Sequence, residues 1–253
     1  MIASIRSLIN WFGIDVVRTA TYNRDIGDHL RNVLAMQKID AVLDVGANRG
    51  GYGQLLRRIG FKGRIYSFEP VSGLFAHLQK AAAGDDRWFC LNAALGDAAG
   101  SQAINVYEGD VFSSFLEVNQ YSKEIWENLN RVQNETVRIG RLDQLHDEMP
   151  QFAAADRVML KLDTQGYDLK AFRGASGMLP QIHALQSEIT FIPLYDQMDD
   201  PYKVMAEYRD SGFFISGMYP INRDPSLAIV EYDCVMVARP ETPRLWETAP
   251  VAG

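Results

Sequence analysis

From residue 41 onward the chain alternates short apolar runs with segments of helical period, the pattern of a parallel α/β sheet. Ala41–Val45 (AVLDV) is a buried strand, and residues 50–59 read as a helix with Leu55, Leu56 and Ile59 on one face and Gly60 as its stop. Arg64–Phe68 is a second strand, which Pro70 prevents from continuing. Ser72 is a suitable N-cap for the helix carrying Leu74, Phe75 and Leu78, and Trp88–Leu91 is a third strand. The rhythm changes over residues 97–140, which read as an insertion: residues 102–107 and 136–139 alternate as a hairpin would, with a mobile loop between them. The parallel pattern resumes with strands at Val158–Leu162, 184–189, 213–216 and 233–238 and helices at 167–173 and 202–209. No internal repeat interrupts it.

The stretch Asp44-Val-Gly46-Ala-Asn48-Arg-Gly50-Gly51-Tyr-Gly53 follows the first strand and opens a helix, the context a glycine-rich binding loop requires. Glycine lets the backbone turn sharply, and a helix N-terminus offers free N–H groups. A dinucleotide fingerprint would place glycine where Asn48 stands, so that fingerprint is broken. A mononucleoside without a pyrophosphate needs less bare backbone, and its cationic part suits an acidic neighbour such as Asp44. Glu69 ends the second strand, where a carboxylate can accept hydrogen bonds from both hydroxyls of a ribose.

Composition narrows the partners. Lys and Arg number 25 against 32 Asp and Glu, a formal charge of −7, which argues against nucleic acid because phosphate binding wants a basic stripe. Two distant cysteines, Cys90 and Cys234, make neither a disulfide framework nor a zinc site. No apolar run approaches the roughly 20 residues a membrane-spanning helix needs. Near the N-terminus Ile2, Ile5, Leu8, Ile9 and Phe12 recur at helical spacing. That segment reads as a helix packing on the main domain or on a second copy of the chain, with membrane-surface contact as the alternative. It lacks the features of a secretory signal, so the expected location is cytoplasmic.

VLDVGANRGGYG, YSFEP, LNAALGD, MLKLDTQGYDLKAFRGA and SEITFIPLY, in that order, resemble the FkbM-type S-adenosylmethionine-dependent methyltransferases, from about residue 40 to 238. The resemblance implies an α/β class I methyltransferase (Rossmann-like) fold: a seven-stranded, mostly parallel sheet with an antiparallel last strand and helices on both faces. The expected division is an N-terminal helical segment at 1–38, the methyltransferase domain at 39–240 and a loose tail at 241–253. It further implies S-adenosylmethionine as cofactor and methyl transfer to a hydroxyl of a sugar, saccharide or secondary metabolite. Gly46, Ala47, Asn48 and Gly50 would line the methionine and ribose part, Glu69 beside Pro70 would hold the ribose, and Asn92, Ala93 and Ala94 would flank the adenine. Ser113 and Ser114 match a paired-serine feature expected to close over the site, with Ser114 as a cofactor contact. The family often carries Glu where this chain has Asp168.

Ligands of open α/β sheets bind beyond the carboxyl ends of the strands. Asp163 and Glu188 fall there, and Asp163 is the first choice for a general base, Glu188 the second. Lys161 in the same strand as Asp163 reads as a snorkelling stem. The four histidines form no metal-binding spacing and no metal is expected, the carboxylates Asp163, Asp168 and Glu188 being the one conceivable set. Tyr195 and the insertion aromatics Tyr107, Phe112, Phe115, Tyr121 and Trp126 are candidates to wall an acceptor pocket. The competing readings are a nicotinamide-dependent oxidoreductase, disfavoured by Asn48, and an S-adenosylmethionine-binding protein without catalysis.

Overall fold

The computed structural model describes residues 25–107, 112–126, 129, 132–154 and 156–238. At its centre lies β1 (Ala41–Val45), with all five residues buried, because helices cover both faces of the sheet around it. β1 runs parallel to β2 (Arg64–Phe68) on one side and β7 (Val158–Leu162) on the other. β3 (Trp88–Leu91) extends the sheet past β2, and β8 (Ile182–Thr190) extends it past β7. β10 (Ile229–Ala238) inserts between β8 and β9 (Phe213–Arg223), antiparallel to both, to complete the order β3-β2-β1-β7-β8-β10-β9. This is the expected class I methyltransferase sheet, with its last strand reversed.

Successive strand residues point to opposite faces, so each strand feeds two cores. Val42, Ile65 and Met159 meet Leu30 and Leu34 of α1 (Ile26–Met36), Leu56 of α2 (Gly51–Arg58) and Leu78 of α3 (Ser72–Ala82). On the other face Leu43, Leu160 and Leu185 meet Leu142 and Leu145 of α5 (Leu142–Leu145), Phe172 of α6 (Asp168–Arg173) and Tyr208 of α7 (Pro201–Asp210). Full burial of a side chain such as Leu56 or Leu78 contributes about 1.5–3 kcal/mol. α1 is held at its start by Asp25, whose side chain accepts from the backbone N–H of Asp28. The amphipathic segment at residues 2–12 and the tail from 241 lie outside the described residues. No helix among the described residues is long and apolar enough to cross a membrane.

Residues 97–140 contribute a second sheet. β5 (Gly100–Tyr107) pairs antiparallel with β6 (Val132–Gly140), and the two-residue β4 (Ala94–Leu95) pairs parallel with β6. Between them the expected mobile loop falls partly outside the described residues. Its described part, 112–126, is tied down by bridges from Ser114 to Asn105 and from Val118 to Tyr195 and contains α4 (Gln120–Ile125).

The structure lengthens β9 and β10 beyond the sequence expectation. The sequence reading ends one strand at 216 and begins the last at 233, with the turn-rich Asn222–Pro225 stretch between them, yet β9 continues to Arg223 and β10 begins at Ile229. Pro220 is tolerated because β9 is the edge strand, and bulges in the register absorb the irregularity. The turn itself is built by Asp224, whose Oδ1 accepts from Ser226 N, Ala228 N and Ser226 Oγ. The overhanging hairpin carries Ile221, Asn222 and Glu231 over the carboxyl ends of the parallel strands.

Candidate active site

The loop after β1 is left-handed at three points, with φ of +75° at Gly46, +50° at Asn48 and +88° at Gly50. A Cβ on Gly46 would lie 1.8 Å from the carbonyl oxygen of Asp163, so the loop passes too close to the end of β7 for any other residue. Asn48 occupies the place of the missing fingerprint glycine because asparagine is among the few residues that adopt this conformation readily. The loop is fastened to β2: Gly46 N and Ala47 N both donate to Phe68 O, each at 3.0 Å.

Glu69, just past β2, is almost fully buried. Its Oε2 accepts from Asn48 N at 2.8 Å and its Oε1 from Val71 N at 2.9 Å. Burial pushes its carboxyl up to about 7, against the pull of those two N–H groups and of Lys161, with Asp44 adding to the rise. Each oxygen still has a lone pair to offer.

Beneath the loop runs a buried polar chain. The Trp88 indole N–H donates to Ser67 Oγ at 2.9 Å, and Ser67 Oγ donates to Asp44 Oδ2 at 3.0 Å. Lys161 Nζ lies 3.2 Å from Asp44 Oδ1, 3.2 Å from Asp163 Oδ2 and 3.3 Å from Gly46 O, with the Tyr52 ring beside it. Burial alone would lower the Lys161 ammonium, but Asp163 and Asp44 overcome it and hold the group above the ordinary lysine range. The snorkelling expectation for Lys161 is therefore overturned: its side chain is 6% exposed and its charge is spent inside the protein.

At the far end of the cavity Gln165 joins two carboxylates. Its Nε2 donates to Asp163 Oδ1 at 3.0 Å and to Glu188 Oε2 at 2.9 Å. Its Oε1 accepts from the Tyr195 hydroxyl at 2.8 Å. Asp163 thus has both oxygens engaged, Oδ1 by Gln165 and Oδ2 by Lys161, and its side chain is 40% exposed. Burial pushes the Glu188 carboxyl well above the usual carboxylate range, and the charges of Asp163, Glu231, Asp168 and Asp233 add to the rise. Glu231 is held by Thr190 Oγ1 at 3.2 Å and Asn222 Nδ2 at 2.9 Å, and burial raises its carboxyl too. Asp168 faces away, accepting from Thr164 N and Ser187 Oγ, each at 2.8 Å.

These groups surround one cavity of about 320 Å³, the size of a small-molecule site. Glu69 and the glycine loop stand at one side, and Asp163, Gln165, Glu188 and Glu231 line the same space. No Lys, Arg or His is among its described lining residues. Residues 44–215 match the methyltransferase FkbM domain. The chain belongs to the FkbM methyltransferase family.

Membership makes this an S-adenosylmethionine-dependent methyltransferase. No curated protein matches the chain. Among solved structures, an rRNA methylase from Streptococcus thermophilus shares 11% identity with a TM-score of 0.46, covering 87% of this chain and 99% of its own. A putative caffeoyl-CoA O-methyltransferase from Staphylococcus aureus shares 7% with a TM-score of 0.47, covering 94% and 92%. Aeropyrum pernix fibrillarin, solved with natively bound S-adenosyl-L-methionine, shares 11% with a TM-score of 0.43, covering 81% and 73%.

The residues present fit that cofactor. A glycine-lined approach, a buried carboxylate with spare acceptor capacity and a buried Ser113 hydroxyl without a hydrogen-bond partner open on one space. Of the positions singled out in the sequence as site residues, Gly46, Asn48, Glu69, Pro70, Ala93, Ala94, Asp163 and Glu188 line the cavity. Asp44, Ala47, Gly50, Asn92 and Ser114 do not. Asp44 alternates onto the opposite face of β1, so its carboxylate balances Lys161 and is not available to a ligand cation. Ala47 packs in the core beside α2, and Gly50 sits against Leu78, Ala81 and Trp88 at the start of that helix. The Asn92 amide donates to Glu69 O and Pro70 O, holding the bend that aims Glu69. Ser114 Oγ donates to Gln165 O at 2.6 Å, and its neighbour Ser113 takes the place in the lining.

Phe112 and Phe115 reach the cavity, whereas Tyr107, Tyr121, Trp126 and Tyr195 pack together beneath the insertion. Gln165, Asn222 and Glu231 are among the lining residues the sequence reading misses. Gln165 had a faint signal, a polar residue before Gly166 at a strand exit, where both turn out left-handed. Glu231 had none, since the turn-rich stretch hid the start of β10.

Proposed function

We propose that this methyltransferase transfers a methyl group to a hydroxyl of a sugar, saccharide or other small metabolite, with Glu188 as the proton acceptor. The observation that supports this is the state of Glu188: half-buried, lining the cavity, tied at one oxygen only and without a cationic partner among the described residues. A neutral amine attacks with a lone pair it already has, but a hydroxyl is a poor nucleophile until its proton begins to leave. A carboxylate with a raised pKa is the better base for that proton. Asp163 is held at both oxygens, by the Lys161 ammonium and by the Gln165 amide, which suits it to shape the site. When bound, the cofactor supplies an electrophilic methyl group on a sulfonium. Glu69 would take the ribose hydroxyls, the glycine loop would pass along the methionine part, and Ala93 and Ala94 would flank the adenine.

Methyl transfer from S-adenosylmethionine labelled with ¹³C in the methyl group, against a panel of glycosides, polyols and amines, tests the acceptor. The expected product carries an O-methyl carbon signal; N-methyl products alone would overturn the reading. Calorimetry is expected to show S-adenosylhomocysteine binding and no NAD binding, and tight NAD binding with no response to S-adenosylhomocysteine would return the site to an oxidoreductase.

Glu69 adds a pH dependence. Ribose hydroxyls donate to the ionised carboxylate, so binding displaces the proton that Glu69 holds below about pH 7. S-adenosylhomocysteine affinity is expected to be full above that pH and to fall by up to about tenfold per unit below it. Glu69→Ala should weaken binding by about ten- to hundredfold and flatten the profile, because charge-assisted bonds of roughly 1.5–3 kcal/mol are lost. Unchanged affinity in that variant would remove Glu69 from the cofactor site.

A further inference from the structure

The amide of Gln165 sits where the acceptor chemistry is proposed to occur, yet it can neither take a proton nor attack. Its position is heavily determined. The backbone at Gln165 is left-handed, with φ of +53°, and is followed by the left-handed Gly166. Ser114 Oγ from the insertion holds its carbonyl at 2.6 Å, and Ser114 N and O pair with Asn105. Tyr195, nearly inaccessible to solvent, donates its hydroxyl to Gln165 Oε1 at 2.8 Å and lies 3.2 Å from Phe112 O. Burial keeps that phenol protonated and so a donor. With the amide oxygen fixed on Tyr195, both N–H bonds must point the other way, at Asp163 and Glu188. A left-handed non-glycine residue persists only where its surroundings over-determine it, and such residues cluster at functional sites.

We propose that Gln165 is a positioning residue of the methyl-transfer site. Its amide holds Glu188 by Oε2, leaves Oε1 for the acceptor, and separates Glu188 from Asp163 by a shared pair of donors. The insertion, through Ser114, and the segment after β8, through Tyr195, set the orientation of that amide. The inference rests on the role proposed above for Glu188, and its own content is the effect of Gln165 on that carboxyl. The charged and titratable groups around Glu188 are Asp163 at the end of β7, Asp168 on α6, Glu231 and Asp233 on β10 and Tyr195. Among the described residues no cation pairs with it directly. The two N–H donations of Gln165 are therefore what keeps two neighbouring carboxylates apart.

The test follows the Glu188 carboxyl directly and needs no acceptor. Protein labelled with ¹³C at the glutamate carboxyl carbon is titrated by NMR, with and without S-adenosylhomocysteine, and the Glu188 signal is identified by its loss in Glu188→Gln. In Gln165→Met, which keeps the length and removes the donors, the Glu188 midpoint is expected to rise by about one pH unit, tenfold in proton affinity. S-adenosylhomocysteine affinity should stay within about threefold of wild type, since tenfold would already be 1.4 kcal/mol. A midpoint unmoved in a folded Gln165→Met protein overturns the proposal. Loss of S-adenosylhomocysteine binding in that variant would overturn it too, by placing Gln165 in the cofactor site. Should Gln165→Met not fold, Tyr195→Phe frees the amide without removing it, and a smaller rise in the same direction is expected; no rise overturns the proposal. If wild-type protein fails to bind S-adenosylhomocysteine, the cofactor-site reading falls, while the titration of the free protein still decides on Gln165.

Discussion

Glu188→Gln is expected to lower turnover by about 10²–10⁴-fold while S-adenosylhomocysteine affinity stays near that of wild type. The substitution keeps the shape of the side chain and its place beside Gln165 but removes the ability to take a proton. Sulfonium chemistry already makes the methyl electrophilic, so the protein has two tasks, alignment of the acceptor oxygen and removal of its proton. Alignment depends on the whole cavity and survives the substitution; proton removal does not. Initial rates of label transfer to the acceptor found in the ¹³C-methyl assay measure the effect, and calorimetry measures the affinity. Asp163→Asn is expected to have the smaller effect on turnover, because both Asp163 oxygens are already engaged by Gln165 and Lys161. If Asp163→Asn abolishes turnover and Glu188→Gln leaves it intact, the base is Asp163 after all.

Lys161→Met is expected to destabilise the protein by about 3–5 kcal/mol, the usual result of removing one partner from a buried ion pair. Asp44 has no solvent exposure, and Lys161 is the cation beside it. The methionine fills much of the same volume, so the loss comes from charge and not from a cavity. For a chain of this size about 2–4 °C of melting temperature accompanies each kcal/mol, which makes the expected drop roughly 6–20 °C by calorimetry or circular dichroism. Asp44→Asn combined with Lys161→Met should recover a large part of it, because the uncompensated carboxylate is then gone. A melting temperature within 2 °C of wild type in the single variant would show that water or rearrangement reaches Asp44.

The parallel sheet was legible because its strands are short apolar runs and the inner ones are buried on both faces. AVLDV, RIYSF, WFCL and VMLKL are short apolar runs that no helix period explains, and all four match the observed strands residue for residue. The antiparallel end of the sheet was less legible. Gly217 and Pro220 weaken β9, and only pairing with β10, bulges included, carries the hairpin far enough to bring Asn222 and Glu231 to the cavity.

Strand, glycine loop, helix and carboxylate follow one another in the sequence at fixed spacing, and local order by itself determined where the glycine loop and Glu69 lie. The acceptor side is different in kind. Asp163, Gln165, Glu188, Tyr195 and Glu231 come from separate strands and loops, and which oxygen each one has left to offer depends on its partners. Sequence order alone favoured Asp163 as the base and left Lys161 to solvent; the fold brings Lys161 between Asp44 and Asp163, engages Asp163 at both oxygens and ties the half-buried Glu188 at one. The division has a physical cause. Backbone geometry and strand burial are governed by neighbours along the chain, whereas the charge state and hydrogen-bond capacity of a buried carboxylate are set by groups that only the tertiary structure places around it.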